Sequence, residues 1–132
     1  MKELAIFGST GSIGCSTLNV VRRERDRFAV SILTAGHNLQ RLTEQIREFT
    51  PRHVYILEKH DAEALREQFP GLDIYWGKDG MEAISRLTDF DIGVSALVGV
   101  AGLRPTWNMI QNGKTVALAN NCLLYTSDAA DE

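Results

Sequence analysis

Short, continuous apolar runs alternate with amphipathic segments along the chain. The apolar runs predict strands at residues 4–7, 28–33, 53–57, 73–76, 92–98 and 115–119. Between them, apolar residues recur at helical spacing, which predicts helices at about residues 13–23, 39–50, 61–69, 81–87 and 105–111. Because the strands are continuous apolar runs and do not alternate, helices should cover both faces of a parallel sheet. We therefore predict an α/β domain with a doubly wound parallel sheet.

Individual residues support the first two helices. Leu18, Val20 and Val21 form an apolar stripe along the first one. Asn38 can cap the second, and Pro51 can close it.

Three glycines mark the point where the first apolar run gives way to the first helical pattern. Gly8, Gly11 and Gly14 fall at every third position, although an interior glycine costs a helix or strand roughly 0.5–1 kcal/mol relative to alanine. In a doubly wound sheet, the first strand-to-helix turn binds the pyrophosphate of a dinucleotide. Gly8 can allow the chain to reverse tightly, and Gly11 can allow the pyrophosphate to approach the backbone closely. Gly14 can allow the helix to pack close to the strand. The turn therefore predicts a dinucleotide site.

The residues between these glycines would supply hydrogen-bond donors. We expect Thr10, Ser12 and Ile13 to direct backbone N–H groups at an anion on the positive end of the helix dipole. A Walker-type ATP loop fits poorly, because no Lys-Ser or Lys-Thr pair follows the glycines. The open alternative is a turn kept for tight packing alone, which would require Gly14 but not the other two glycines.

The end of the second predicted strand indicates which dinucleotide would bind. Residues 34–38 read TAGHN and lack the Asp or Glu that accepts hydrogen bonds from the ribose 2′-hydroxyl in NAD sites. His37 can carry positive charge near neutral pH, and Asn38 can donate from its amide and from a helix N-terminus. A charge-assisted hydrogen bond of roughly 1.5–3 kcal/mol would favour NADP about ten- to a hundredfold. We predict an NADP site; the alternative for His37 is a solvated loop histidine.

Composition and charge exclude several other classes of protein. The 132 residues suffice for one domain, and a hydrophobic content of 44% with a net charge of -3 gives no electrostatic case for nucleic acid. No apolar stretch approaches the roughly 18 residues that span a bilayer, and no signal sequence is evident. We therefore expect a cytoplasmic protein without nucleic-acid or membrane partners.

The remaining chemistry-bearing side chains give no separate site. Cys15 and Cys122 are too few for a disulfide framework or a zinc cluster, and we interpret Cys15 as a packed residue. No metal-ligand spacing links the other candidates. We interpret these as strand-end or surface histidines and packed aromatic residues: His53, His60, Trp76 and Trp107.

Four ordered segments resemble the N-terminal domain of the 1-deoxy-D-xylulose 5-phosphate reductoisomerases. They are GSTGSIG at 8–14, AGHN at 35–38, VGVAGL at 98–103 with Pro105 and Thr106 after it, and LAN at 118–120. The resemblance implies a Rossmann-like NADP-binding domain. It also implies an oxidoreductase that rearranges and reduces 1-deoxy-D-xylulose 5-phosphate to 2-C-methyl-D-erythritol 4-phosphate with NADPH, in non-mevalonate isoprenoid biosynthesis.

The resemblance also implies roles for particular positions. The pyrophosphate would be held by Thr10, Gly11, Ser12 and Ile13. Gly36, His37 and Asn38 would hold the adenosine 2′-phosphate side, and Asn120 would hold the nicotinamide end. His37 departs from the Lys or Arg often found there. Mg²⁺ or Mn²⁺ would hold the oxygens of the phosphorylated sugar substrate through ligands downstream, so no catalytic or metal-binding residue is assigned in this chain. The full-length protein would be a homodimer.

The resemblance stops after Asn120. The family continues with Lys-Glu, whereas this sequence has Asn121 and then CLLYTSDAADE, which is similar to the translation of a transposon-based sequencing adapter. We expect an NADPH-binding Rossmann domain at residues 1–120, truncated at its C-terminal side, and a non-native tail at residues 121–132. A divergent natural terminus is the alternative. The truncated chain should bind NADPH weakly at best and show no turnover.

Three other readings of the function stay open. A flavodoxin-like phosphate-binding signalling domain would require acidic residues at the strand ends in place of the glycines. Another NADP-dependent Rossmann oxidoreductase, such as an atypical short-chain reductase, would be supported by a catalytic helix carrying Tyr-x-x-x-Lys, and no such helix is predicted. A non-catalytic nucleotide-sensing module would need a partner or DNA-binding segment, which the sequence does not show.

Overall fold

The computed structural model describes residues 1–97 and 99–118. The strands of this part are β1 Lys2–Phe7, β2 Phe28–Thr34, β3 His53–Ile56, β4 Asp73–Trp76, β5 Ile92–Ser95 and β6 Thr115–Leu118. Its helices are α1 Ser12–Arg23, α2 Leu39–Phe49, α3 Lys59–Gln68, α4 Gly77–Ser85 and α5 Leu103–Gln111, with a 3-10 turn at Gly99–Gly102 before α5. Strands and helices alternate throughout, as the hydropathy pattern predicts.

All six strands are parallel and form one sheet in the order β4-β3-β2-β1-β5-β6. The chain moves outward from β1 to β4 and then returns to the other side of β1 with β5 and β6. The order therefore reverses between β1 and β5. In open α/β sheets, ligands bind beyond the carboxyl ends of the strands at this kind of reversal. The predicted doubly wound parallel sheet is confirmed, and its topology identifies where a ligand should bind.

Helices cover both faces of the sheet. On one face, α1, α2 and α3 pack against the strands through Leu18, Leu42 and Leu65. On the other face, Ile84 of α4 and Met109 of α5 form a second cluster with strand residues. Each fully buried side chain of this size contributes roughly 1.5–3 kcal/mol of transfer free energy. Burial on both sides explains why the central strands read as continuous apolar runs.

Several predicted boundaries differ from the structure. Strand β5 ends at Ser95, before the predicted end at residue 98, because the chain leaves the sheet for the 3-10 turn; Val98 itself lies outside the described residues. Helix α5 begins at Leu103, ahead of Pro105. Proline lacks a backbone N–H, and the first helical turn tolerates it because N–H groups there have no intrahelical acceptor. Helix α4 begins at Gly77, earlier than the predicted residue 81.

The predicted apolar stripe of α1 is wrong at one position. The buried residues of this helix are Gly14, Leu18 and Val21, which follow one another at helical spacing, whereas Val20 is 43% exposed.

No helix of the described residues is long and apolar enough to cross a membrane.

A polar cluster closes the amino edge of the sheet. His53, at the start of β3, has Nδ1 2.7 Å from Asp73 Oδ2 and Nε2 2.6 Å from Asp89 Oδ2. Arg52 also donates to Asp89, at 3.2 Å. His53 is thus a strand-end histidine, as predicted, and it joins two strands to the segment before β5.

Asp89 should make the folding free energy dependent on acid pH. Burial would raise the pKa of its carboxyl, but the hydrogen bond and charge of His53 and the hydrogen bond from Arg52 hold that pKa below its usual value. A lowered carboxyl pKa stabilises the fold above the unfolded pKa of about 4, and this contribution is lost as pH falls through the folded value. We expect Asp89→Asn to lower the free energy of unfolding at neutral pH by about 1 kcal/mol, allowing for solvent screening.

Urea denaturation at neutral and acid pH tests this expectation. The difference in free energy of unfolding between wild type and Asp89→Asn should shrink as pH falls below about 4. It should disappear below the lowered folded pKa of Asp89, where the wild-type carboxyl is protonated in both states. Asp26→Asn, at an exposed turn position, is the matched control and should have little effect. A difference that stays constant between the two pH values would contradict a role for the Asp89 charge.

Candidate functional site

The glycine turn lies where the strand order reverses. Gly8 follows β1 and has a φ of 94°, in the region that favours glycine. A Cβ at this position would lie 3.1 Å from the carbonyl carbon of Ala96 and 3.1 Å from Leu97 Cδ2. Both residues follow β5, so the turn after β1 contacts the segment after β5. Gly8 therefore allows the tight reversal, as predicted, and the turn lies at the expected ligand position.

Gly14 and Gly11 differ in what surrounds them. A Cβ on Gly14 would overlap Gly8 O and lie 2.6 Å from Ser9 Cα, so α1 packs directly on the turn. A Cβ on Gly11 would have its nearest neighbour, Gly8 O, at 3.9 Å, which is ordinary contact. Packing alone therefore explains Gly8 and Gly14 but not Gly11. The space at Gly11 is open to a molecule from outside the chain.

Buried hydrogen bonds hold the turn against β2 and α2. Gly8 N donates to Thr34 Oγ1 at 2.8 Å, and the fully buried Ser9 donates from N to Thr34 O at 2.8 Å. Ser9 Oγ donates to Gln45 Oε1 at 2.7 Å, and Gln45 Nε2 donates to Ser9 O at 2.9 Å. The turn is thus fixed before any ligand arrives. Sequence reasoning missed Gln45, which lies far away along the chain in α2.

Helix α1 begins at the turn with its positive end open. Gly11 is the N-terminal cap residue and provides no side-chain hydrogen bond, and the first turn contains no acidic residue. The first N–H groups of a helix have no intrahelical acceptor, and the helix dipole adds a partial positive charge there. Thr10, Gly11, Ser12 and Ile13 follow one another at this end. The arrangement can bind an anion such as a pyrophosphate.

The segment after β2 is exposed beside this turn. Gly36, His37 and Asn38 are all solvent-accessible, and Asn38 caps α2 by accepting from Arg41 N at 3.1 Å. The predicted capping role of Asn38 is confirmed. The cap uses the side-chain oxygen, so the amide donors of Asn38 are not consumed by it.

A cavity of about 820 Å³ opens at the same edge of the sheet. Its volume is in the range of small-molecule sites, and it adjoins the glycine turn through Leu97. Burial raises the pKa of the Tyr55 hydroxyl in its wall, and the charge of Glu58 adds to the effect. Its apolar lining comes from Ala35, Tyr55, Leu57, Met81, Leu97, Ala101 and Pro105, and its charged lining from Lys78, Asp79, Glu82 and Arg104. The site thus includes an apolar compartment, to which Leu97, Ala101 and Pro105 of the segment after β5 contribute.

An ion-pair cluster fixes one wall of this cavity. Glu82 of α4 accepts from Arg104 Nε at 3.0 Å and from Arg86 Nε at 2.8 Å. The hydrogen bonds from Arg104 and Arg86 lower the pKa of Glu82 to about 2. Arg104 lies in the first turn of α5, so the pair with Glu82 links the two helices that flank the cavity.

Other predictions have mixed outcomes. Cys15 is half-buried, with Sγ 3.7 Å from Thr10 O, so it packs against the turn as expected. Trp107 is 55% exposed, so its interpretation as a packed aromatic is wrong. Asn120 lies outside the described residues. Within residues 1–97 and 99–118, no group of three or more His, Cys, Asp or Glu side chains could hold a metal ion.

Comparison with known proteins identifies the family. The family model of 1-deoxy-D-xylulose 5-phosphate reductoisomerase matches residues 4–127. The chain belongs to this reductoisomerase family. It is 48% identical over 122 residues to the reductoisomerase of Prosthecochloris aestuarii, and 45% identical over 124 residues to that of Nitrosospira multiformis. Each alignment covers 91% of this chain but only 32% and 31% of those proteins, so the chain spans about a third of the reductoisomerases it matches.

Solved reductoisomerase structures share the fold. A crystal structure of the enzyme in complex with NADPH, fosmidomycin and magnesium matches 91% of this chain with a TM-score of 0.84 and 31% identity, covering 30% of that chain. The enzyme from Zymomonas mobilis in complex with NADPH matches 90% of this chain with a TM-score of 0.81 and 32% identity, covering 32% of that chain. The Rossmann-like reductoisomerase fold is therefore confirmed.

The reductoisomerase assignment removes the alternative of another reductase family. Tyr-x-x-x-Lys spacing occurs at Tyr55 and Lys59, but the catalytic helix that a short-chain reductase would need is absent there, as predicted. Tyr55 lies in strand β3 and is buried, so the two residues do not share a catalytic helix.

Gly14→Ala should disrupt the turn on which the site depends. The added methyl would overlap Gly8 O, and we expect a loss of about 2 kcal/mol or more in the free energy of unfolding, typical of overpacking against backbone. Gly71→Ala is the matched control, since a Cβ there would meet nothing within 4 Å. Urea denaturation followed by circular dichroism measures both. Equal stability of the two variants would contradict the close packing of α1 on the turn.

Proposed function

We propose that this chain is the NADPH-binding domain of a 1-deoxy-D-xylulose 5-phosphate reductoisomerase of non-mevalonate isoprenoid biosynthesis. Membership of the family supports this function, and two of the matched structures contain NADPH. The observation that carries the proposal is Gly11, which leaves open space at an uncapped helix N-terminus where the strand order reverses. The whole enzyme would rearrange and reduce 1-deoxy-D-xylulose 5-phosphate to 2-C-methyl-D-erythritol 4-phosphate.

The geometry supports separate binding positions for the pyrophosphate, the 2′-phosphate and the adenine ring of the cofactor. The pyrophosphate would lie against the backbone of Thr10, Gly11, Ser12 and Ile13, because the open N–H groups of α1 begin there. The adenosine 2′-phosphate would lie beside Gly36, His37 and Asn38, where no carboxylate opposes it. The adenine ring would enter the apolar cavity of about 820 Å³.

These residues bind and orient the cofactor. The hydrogen bonds of Ser9 and Gln45 keep the turn in place, so ordering costs little when the pyrophosphate binds. Bound NADPH would supply the hydride for the reduction. Asn120 would hold the nicotinamide end.

The remaining parts of the proposal concern the rest of the enzyme. Mg²⁺ or Mn²⁺ would bind through residues beyond those described, and the substrate would be a phosphorylated sugar. The complete enzyme would be a cytoplasmic homodimer. We further propose that residues 1–120 form the NADPH-binding domain and that residues 121–132 are a non-native tail.

Gly11→Asp separates cofactor binding from stability. Aspartate is a favourable N-cap residue, and the extended conformation of Gly11 suits it, so stability should be unchanged or rise by about 0.5–1 kcal/mol. The carboxylate would, however, repel a pyrophosphate at the same place. We expect the Kd for NADPH, measured by calorimetric titration of the 132-residue chain, to rise about tenfold or more.

Gly11→Asn is the matched control, because it has the same size and capping ability without the charge. It should weaken NADPH binding less than Gly11→Asp does. If both variants bind NADPH as the wild type does, the pyrophosphate does not lie at this turn.

His37→Asp tests the position of the 2′-phosphate. An acid after β2 would accept from a ribose 2′-hydroxyl and repel a 2′-phosphate, so preference should shift from NADPH toward NADH by about tenfold or more. Titration with both cofactors measures the shift. His60→Asp, at an exposed position in α3, is the control that adds the same charge elsewhere. An unchanged preference in His37→Asp would contradict the role proposed for His37.

A further inference from the structure

Arg41 joins the two segments that the proposed function assigns to the cofactor. It lies in the first turn of α2, where its backbone N donates to Asn38 Oδ1 at 3.1 Å. Its side chain crosses to the glycine turn, where Nη1 donates to Thr10 O at 3.1 Å and lies 3.8 Å from Cys15 Sγ. The guanidinium is therefore held between the start of α1 and the start of α2.

The charge of Arg41 has no carboxylate partner among the described residues. Arg52, Arg86 and Arg104 each form an ion pair with Asp or Glu. Glu48, which lines the same groove as Arg41, pairs instead with Arg22. Within residues 1–97 and 99–118, the contacts of the Arg41 guanidinium are made by Nη1, with a backbone carbonyl and the cysteine sulfur. A guanidinium has further N–H donors on Nε and Nη2. A fixed positive charge with spare donors is suited to an anionic ligand group.

We infer that Arg41 binds the 2′-phosphate of the cofactor and determines the preference for NADPH over NADH. This inference rests on the proposed function, which brings the 2′-phosphate to the end of β2 beside α2. Arginine recognises phosphate through parallel N–H bonds and stays charged at all physiological pH values. His37 carries charge only when protonated. Arg41 thus supplies the permanent positive charge that residues 36–38 lack.

The contact with Thr10 gives Arg41 a second effect that the test must separate. Removal of the side chain also removes a hydrogen bond to the glycine turn, which would weaken the binding of any dinucleotide. Loss of contact with a 2′-phosphate would instead weaken only ligands that carry this group. The ratio of the two affinities therefore distinguishes the direct contact from a structural role.

Arg41→Ala and Arg41→Gln test the inference in the 132-residue chain. Glutamine keeps a donor but removes the charge. Calorimetric titration with NADPH, NADH, 2′,5′-ADP and 5′-AMP gives four dissociation constants for each variant. For both variants, we expect the ratio of the NADH dissociation constant to the NADPH dissociation constant to fall about tenfold or more. The ratio of the 5′-AMP constant to the 2′,5′-ADP constant should fall by a similar factor. The affinity of both variants for 5′-AMP should change little.

Arg47→Ala is the matched control, because it removes the same charge from the last turn of the same helix, where Arg47 contacts Gln68. It should keep the wild-type preference. An unchanged preference in both Arg41 variants, or an equal loss for ligands with and without the 2′-phosphate, overturns the inference while the proposed function stands. If the wild-type chain binds neither NADPH nor 2′,5′-ADP, the proposed function fails and this inference with it.

Discussion

The contact between α1 and the turn that precedes it determines the geometry of the candidate site. The helix approaches so closely that no side chain fits at Gly14, and the turn can reverse only because Gly8 adopts a positive φ. The N-terminus of α1 is thereby directed at the point where the strand order reverses. Thr34 and Gln45 then fix the turn with buried hydrogen bonds. An anion site made of backbone requires this rigidity, because backbone N–H groups are useful only when they are correctly oriented.

The two edges of the sheet differ in how far their polar groups are paired with one another. At the amino edge, His53 bridges Asp73 and Asp89, and Arg52 adds a further charge, so the polar groups satisfy one another. At the carboxyl edge, the first turn of α1, the exposed segment after β2 and the apolar cavity leave donors and space for a ligand. The ion pairs of the amino edge therefore do not involve the residues of the candidate site. Polar substitutions at the candidate site can leave those ion pairs intact.

Membership of the reductoisomerase family fits this division of the molecule. The chain spans about a third of its relatives, and the described part contains an anion-binding turn and a large cavity but no cluster of metal-binding side chains. This arrangement is consistent with the dinucleotide-binding role that we propose for the chain. Arg41 connects the glycine turn with α2 through its hydrogen bond to Thr10 O, and the inferred role in cofactor preference rests on this position.

Local patterns in the sequence were sufficient to predict the order of strands and helices, the parallel sheet and the position of the glycine turn. These features depend on local periodicity and on glycine, whose effects act within a few residues. Tertiary structure decided the rest. It set the end of β5, the exposure of Val20 and Trp107, the bonds of Gln45 to Ser9, the position of Arg41 beside Thr10, and the cavity. Each of these depends on contacts between segments distant along the chain, and no local pattern specifies which side chains will meet when helices pack on a sheet.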